Sequence, residues 1–239
     1  MLLDNVLQIT ERDGDSYNEM MAHIPMFLHP KPKRVLIIGG GDGYVLSEVL
    51  KHESVEVVDH VDLDGEVIEV CKEFFGWGKA WNDPRVNLHI TDGAQFVQDK
   101  PDGYYDVIIQ DSSDPWIVDD EGNMTPLPSG VLFEQKHFED LHRVLSPDGV
   151  LNIQAESFNI PSCLGGIYEW RQRLLQAGFK RSNYGGITIP SYPTGHIGFL
   201  VSEKGETSTF RQSLVNQRFN AMVAAGNKTS YYQPPLQRR

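Results

Sequence analysis

At 239 residues with 40% hydrophobic content, the chain can bury one full core and is too short for several, so it reads as one large domain with at most a small appendage. Twenty-one basic residues against 33 acidic ones give a net charge of −12, a field that repels phosphate backbones, excludes nucleic acid as an expected partner and attracts small cations. Two cysteines, Cys71 and Cys163, are too few for a disulfide framework, and no apolar run approaches the ~20 residues needed to span a bilayer; a cytoplasmic protein without membrane contact is the expectation.

In chain order, strand signals alternate with helix signals. Residues 34–38 (Arg-Val-Leu-Ile-Ile) form a short apolar run that ends in glycines; 55–61 is β-branched, 86–90 alternates, 106–109 is apolar, and 150–154 follows a Pro-Asp-Gly turn. Between these five predicted strands lie helical segments at 44–52, 66–75, about 94–98, and 134–145, where Phe138, Leu141, Val144 and Leu145 share a face. Strand alternating with helix predicts a mostly parallel sheet covered on both faces. A further helix over about 164–177 leads to two last strands near 181–188 and 196–202. Only residues 189–195 connect that pair, and a parallel crossover needs a dozen or more, so the last strand is predicted antiparallel, as a reversed edge strand. By fold analogy, that reversal marks an α/β, Rossmann-like, methyltransferase-type open sheet. Residues 116–130 are polar, acidic and broken by two prolines, and read as a long loop placed to act as a lid. Beyond residue 205 only a weak helical stretch near 210–225 stands out, followed by Tyr231-Tyr232 and Pro234-Pro235 pairs that suggest docking on the body.

Gly39-Gly40-Gly41-Asp42-Gly43 follows the first strand and precedes a helix. Glycines there allow a sharp turn and a close approach to a ligand. A dinucleotide fingerprint would place glycine at Tyr44, and Asp42 would repel a pyrophosphate, so the loop fits a nucleoside without phosphates. Asp62, about 20 residues on, stands where an acid accepts from ribose hydroxyls, and Asp92 stands where one accepts from an adenine amino group. Each acid alone is as consistent with a solvated strand end; Asp42, Asp62, Asp92 and Asp111 at four successive strand ends point together to a site.

The most informative stretch is 104–115, Tyr-Tyr-Asp-Val-Ile-Ile-Gln-Asp-Ser-Ser-Asp-Pro, where an apolar strand runs into two carboxylates three positions apart. Ligands bind at the C-terminal ends of parallel strands, so Asp111 and Asp114 are expected in a cleft suited to a cationic substrate and to a base that takes a proton from an amine. The eight histidines show no metal-ligand spacing, and no metal is expected; His196, beside a Pro-Thr-Gly element, is the histidine nearest a motif.

With these residues in view, the chain resembles the spermidine synthase family of aminopropyltransferases. The likeness rests on Gln8-Ile-Thr-Glu-Arg-Asp13 with Tyr17, Glu19-Met20 and Ala22-His23-Ile24-Pro25, the glycine loop, Asp111-Ser-Ser-Asp-Pro115, Gln154-Ala-Glu156, and Ile189-Pro-Ser-Tyr-Pro-Thr-Gly195 with Ile197-Gly-Phe199. It implies transfer of an aminopropyl group from decarboxylated S-adenosylmethionine, a co-substrate and not a resident cofactor, to putrescine or a related polyamine, with release of methylthioadenosine. It also implies roles. Asp111 matches the catalytic base, Tyr17 and Tyr192 the hydroxyls flanking the reacting amine, and Asp114 and Gln154 the polyamine-binding positions. Gln8, Gly39, Gly41, Asp42, Asp62, Asp92 and Gly93 match the contacts to the nucleoside. A homodimer is the candidate assembly the resemblance suggests.

The chain departs from the family pattern at Asp62, usually glutamate, at Tyr44, usually glycine, at Asn18, usually glutamine, and in a longer 116–130 loop. The expected division is a remnant of an N-terminal β-domain over 1–30, a Rossmann-like catalytic domain over 31–204 and a C-terminal extension over 205–239. Two other functions use the same features: an S-adenosylmethionine-dependent methyltransferase, and a catalytically silent nucleoside- or polyamine-binding relative.

Overall fold

The structure, a computed structural model, describes residues 1–3, 6–118, 124–208 and 210–236. Seven strands form one sheet: β3 (Arg34–Gly39), β4 (Val57–Asp62), β5 (Val86–Ile90), β6 (Tyr105–Asp111), β9 (Leu145–Ala155), β10 (Arg181–Thr188) and β11 (His196–Glu203). Their order is β10-β11-β9-β6-β3-β4-β5. β5, β4, β3, β6 and β9 are mutually parallel, whereas β11 runs antiparallel to both β9 and β10. This is the expected Rossmann-like, methyltransferase-type sheet. The reversed strand is β11 as predicted, but it is not the edge: it inserts between β9 and β10, and β10 takes the edge. The short connection forces two antiparallel neighbours and does not say which of them pairs with the body.

Alternation along the buried strands sends Val35 and Ile37 to one face and Leu36 and Ile38 to the other, and both faces are covered. On the first lie α1 (Gly14–Leu28), α2 (Tyr44–Val49) and α7 (Gln212–Ala224), through Met21, Met26, Leu46, Val49 and Phe219. On the second lie α4 (Gly93–Gln98), α5 (Gln135–Val144) and α6 (Pro161–Gln176), through Val97, Phe138, Leu141, Trp170 and Leu174. α3 (Gly65–Phe74) begins at Asp64, whose side chain accepts from the amides of Glu66 and Val67, and buries Ile68 and Cys71.

Among the described residues of the first 30, only a short hairpin, β1 (Leu2–Leu3) with β2 (Val6–Leu7), has β character. The second half of the segment assigned above to a β-domain remnant is α1, which packs into the core of the sheet. α1 escapes a periodicity reading because it is buried nearly all round, Glu19, His23 and Asn18 included, so no polar face marks a 3.6-residue period.

The C-terminal segment docks on α1. Glu19 accepts hydrogen bonds from the amides of Ser230 (2.6 Å), Tyr231 (2.8 Å) and Tyr232 (2.6 Å), Arg218 donates to the carbonyls of Met26, Phe27 and His29, and Tyr232 stacks on Phe27. The Arg218 guanidinium satisfies carbonyls left open at the C-terminal end of α1. Beside them His23 bridges His52 and Glu48, and Lys51 caps Glu48.

The expected loop over 116–130 contains a small antiparallel hairpin, β7 (Trp116–Val118) with β8 (Met124–Pro126), tied to Pro115 by Leu127 N–H and to the Asp114 carbonyl by the Ser129 hydroxyl. Residues 119–123, Gly122 among them, lie outside the described residues. No helix of the described residues is long and apolar enough to cross a membrane.

Candidate active site

The order β4-β3-β6-β9 lines up Asp62, the glycine loop with Asp42, Asp111 with Asp114, and Gln154 with Glu156 along one edge of the sheet, at the ends where parallel strands leave a crevice. Three inter-strand spacings separate β4 from β9, roughly 14 Å. The order changes direction between β3 and β6, and there the glycine loop packs against the end of β6. Gly40 N–H donates to the Asp111 carbonyl at 2.8 Å, and a Cβ on Gly39 would sit 2.2 Å from that same carbonyl oxygen. Gly39 and Gly40 have φ of +77° and +65°, in the left-handed region that glycine tolerates. A Cβ on Gly41 would meet Asp62 Oδ2 at 2.7 Å, so this glycine keeps room for the acid behind it.

Asp111 ends β6, and its Oδ1 accepts the Tyr17 hydroxyl at 2.5 Å. Tyr17 is brought there by the first turn of α1 and is buried against Phe199 and, at a ring separation of 6.1 Å, against Tyr192. Burial, then the Asp111 charge, keep the Tyr17 phenol protonated well above its ordinary pKa, so it is a donor. Asp42, Asp62 and Asp111 are half-buried on the cleft floor. Loss of water raises the pKa of each, and the charge of the neighbouring acids adds to the rise: Asp111 on Asp42, and Asp62 on both Asp42 and Asp111. Three acids crowded in this way are stabilised by any cation placed among them.

Tyr192 rides on the turn over 189–195. Its hydroxyl donates to the Gln8 carbonyl at 2.8 Å, and Asp13 takes the Ser191 amide at 2.9 Å and the Ser191 hydroxyl at 3.0 Å. Thr194 has φ +62°, uncommon for a β-branched residue, and its hydroxyl lies 3.1 Å from that of Ser157, which also contacts His196 Nδ1 at 3.1 Å. His196 thus serves the turn that carries Tyr192. Gln8 contributes its carbonyl; its side-chain amide turns back to Val6.

On the β9 side, the Asp114 carboxyl is hydrogen-bonded to Gln154 and Glu156. Asp114 keeps an exposed face, but its inner side is packed against these two residues, and the water lost there raises its pKa. Glu156 is raised by burial and then by the Asp114 charge, so the two acids hold a proton between them more readily than either would alone. Cys163 Sγ contacts Glu156 Oε2 at 3.6 Å. Glu156 was quoted above only as part of a motif; its signal is the strand period, which places residue 156 on the face of Gln154, two positions earlier. Trp116, at the base of the β7–β8 hairpin, packs on Trp170 of α6 next to this group.

Asp92 is set apart from these acids. It is exposed and caps α4, accepting from Gln95 N–H at 2.9 Å. Gly93 follows it where a Cβ would lie 2.6 Å from the Ile38 side chain, so its smallness serves helix-to-sheet packing. Among the described residues no group of three or more His, Cys, Asp or Glu side chains is placed to hold a metal ion.

Residues 14–212 match the family described as the spermine/spermidine synthase domain. Spermidine synthase 1 of Hyoscyamus niger is 44% identical over 217 residues, covering 90% of this chain and 65% of the relative; spermine synthase of Arabidopsis thaliana is 41% identical over 216 residues, covering 90% and 56%. A spermidine synthase solved in complex with the transition-state analogue AdoDATO superposes with a TM-score of 0.85 at 33% identity over 99% of this chain and 75% of that one, and the spermidine synthase of Thermotoga maritima with 0.83 at 32%, over 99% and 74%. The chain therefore spans just under two thirds of the length of the first of these curated relatives, and less of the other. On the matched domain, the identity and the superposed sheet together, the chain belongs to the spermine/spermidine synthase family.

Proposed function

We propose that the chain catalyses transfer of an aminopropyl group from decarboxylated S-adenosylmethionine to a primary amine of putrescine or a related polyamine, releasing methylthioadenosine. The observation that carries this reading is the position of Asp111, with its Tyr17 donor, between the Asp42–Asp62 group on one side and the Asp114–Gln154–Glu156 group on the other. The nucleoside lies over the glycine loop, its ribose on Asp62 and its own ammonium near Asp42, with Asp92 and Gly93 at the adenine end and Gln8 at the rim. The acceptor lies towards β9, with a distant ammonium on Asp114, Gln154 and Glu156.

A primary ammonium has a pKa of about 10, so the attacking nitrogen must first lose a proton. Asp111 takes it, and a carboxylate whose pKa is raised by burial is a better base than an ordinary one. The freed lone pair forms the new C–N bond at the propyl carbon next to the sulfonium as the C–S bond breaks, and its electron pair neutralises sulfur to the thioether. Tyr17 and Tyr192 wall this point and orient Asp111 and the amine. Alignment of nitrogen, carbon and sulfur supplies much of the rate.

The hairpin based on Trp116 acts as a lid on the amine side. A homodimer in the reducing cytoplasm is the assembly and setting that fit the family. Incubation with decarboxylated S-adenosylmethionine and a panel of diamines and polyamines, followed by mass analysis, tests the reading. Aminopropylated amine and methylthioadenosine in equal amounts are expected. Methylated amine in a parallel incubation with S-adenosylmethionine would establish the methyltransferase instead, and nucleoside binding without product would establish the silent relative.

A further inference from the structure

The peptide unit between Gly39 and Gly40 is held at both ends. Its carbonyl, on Gly39, lies 2.8 Å from His60 Nε2, and its N–H, on Gly40, donates to the Asp111 carbonyl at 2.8 Å. In a planar trans peptide these two groups point in opposite directions, so one rigid plane spans from β4 to the end of β6. Local sterics do not fix that plane. Both flanking residues are glycines at positive φ, and glycine enters that region about as readily as its mirror, so rotation of the 39–40 peptide is opposed mainly by its two partners.

His60 is fully buried, and its tautomer follows from its contacts. The Trp81 indole N–H, a donor only, points at His60 Nδ1 at 2.9 Å, so Nδ1 carries a lone pair. The Gly39 carbonyl only accepts, so Nε2 carries the hydrogen. A doubly protonated ring would set N–H against N–H, and burial accordingly depresses the pKa of His60 to about 4. Trp81 also touches the loop directly: a Cβ on Gly43 would lie 2.3 Å from its ring. Trp77 adds a third contact, its indole N–H donating to the Asp42 carbonyl at 2.8 Å while its ring stacks on Tyr44.

We infer that His60, held in one tautomer by Trp81, is a positioning residue for the transfer: by fixing the Gly39 carbonyl it sets the spacing between the nucleoside loop and Asp111. This rests on the function proposed above. It predicts that loss of the His60 hydrogen bond moves nucleoside and base apart without touching the amine subsite, and a displacement of about 1 Å in such a site costs on the order of 10²-fold in rate.

Three variants of the full chain and one spectrum test it. His60→Leu is expected to lower kcat at least tenfold and to weaken methylthioadenosine binding, with amine KM unchanged. His60→Gln, whose amide can donate to the Gly39 carbonyl and accept from Trp81, is expected to restore most of both. In the parent, nitrogen-15 spectra of His60 near neutral pH are expected to show the Nε2–H tautomer alone, and Trp81→Phe, which keeps an aromatic ring but removes the N–H, to lose that preference and part of the nucleoside affinity. An Nδ1–H tautomer in the parent, parent-like kcat and affinity in His60→Leu, or a His60→Gln no better than His60→Leu at equal melting temperature would each overturn the inference. If His60→Leu does not fold, the spectrum and Trp81→Phe decide. If the parent transfers no aminopropyl group, the proposed function fails, while the tautomer and the methylthioadenosine affinities still judge His60.

Discussion

Replacing Asp111 by asparagine separates chemistry from architecture. The amide oxygen can accept the same bond from Tyr17, now 2.5 Å long, so the local geometry is retained, but asparagine cannot take a proton from an ammonium. General-base catalysis contributes roughly 10²–10⁴ in rate, about 2.7–5.4 kcal/mol of barrier, and kcat is expected to fall by that factor. Stability is expected to move the other way. Burial and the Asp62 charge raise the pKa of Asp111 in the folded, ligand-free protein, so between its ordinary value of about 3.9 and the raised one the folded state binds the proton and the unfolded state does not. The contribution of this group to stability is therefore complete at low pH and is lost as pH rises through the folded pKa; above that window the parent carries a buried charge that the variant lacks. The assay is kcat and KM with decarboxylated S-adenosylmethionine and putrescine, paired with a ligand-free melting temperature at neutral pH. A slow variant that melts at or above the parent temperature is the expected result. Parent-like turnover would refute the assignment of the base, and a variant both slow and less stable would show that Asp111 holds the site together more than it acts on the amine.

Asp114→Asn is expected to act on the acceptor instead, removing a charge-assisted hydrogen bond of ~1.5–3 kcal/mol and raising amine KM roughly tenfold to a hundredfold with a smaller effect on kcat; a change confined to kcat would contradict it. Because Asp42 repels a carboxylate, decarboxylated S-adenosylmethionine is expected to raise the melting temperature above S-adenosylmethionine at equal concentration: a tenfold affinity difference at saturation is ~1.4 kcal/mol, roughly 3–6 °C for a chain of this size, and an equal or larger shift from S-adenosylmethionine would favour methyl transfer. Glu19→Ala leaves the Ser230, Tyr231 and Tyr232 amides without their acceptor and is expected to cost at least ~2 kcal/mol, roughly 4–8 °C by calorimetry, whereas an unchanged transition would mean the C-terminal segment is not held by this carboxylate.

Local periodicity carried much of this fold. The runs that became β3 to β6 and the faces of α5 and α6 are written in residues a few positions apart, and the acids that end β4 and β6 could be placed at a sheet edge from the same signals. What escaped depends on contacts distant in the chain. The seat of β11 between β9 and β10 is a choice of neighbour, not of direction. α1 is buried on nearly every side and shows no stripe. His60 and Trp81 meet the glycine loop across about 20 residues or more, and neither has a motif to announce it. Asp92 shows the reverse case: its place at a strand end suggested a ligand contact, and the structure gives its carboxylate a helix-capping bond first.

The Glu19 clamp also orders events in time. Its three donors lie 211 to 213 residues further along the chain than the carboxylate they satisfy, and that carboxylate sits two residues from Tyr17. Closing so long a loop is slow, and contacts of this separation form late in folding. During synthesis, the glycine loop and the end of β6 can be made and packed while α1 still lacks the segment that pins it. The helix that delivers Tyr17 to Asp111 thus gains the last of its restraints only after residue 232 has emerged, although its packing on the sheet can form earlier.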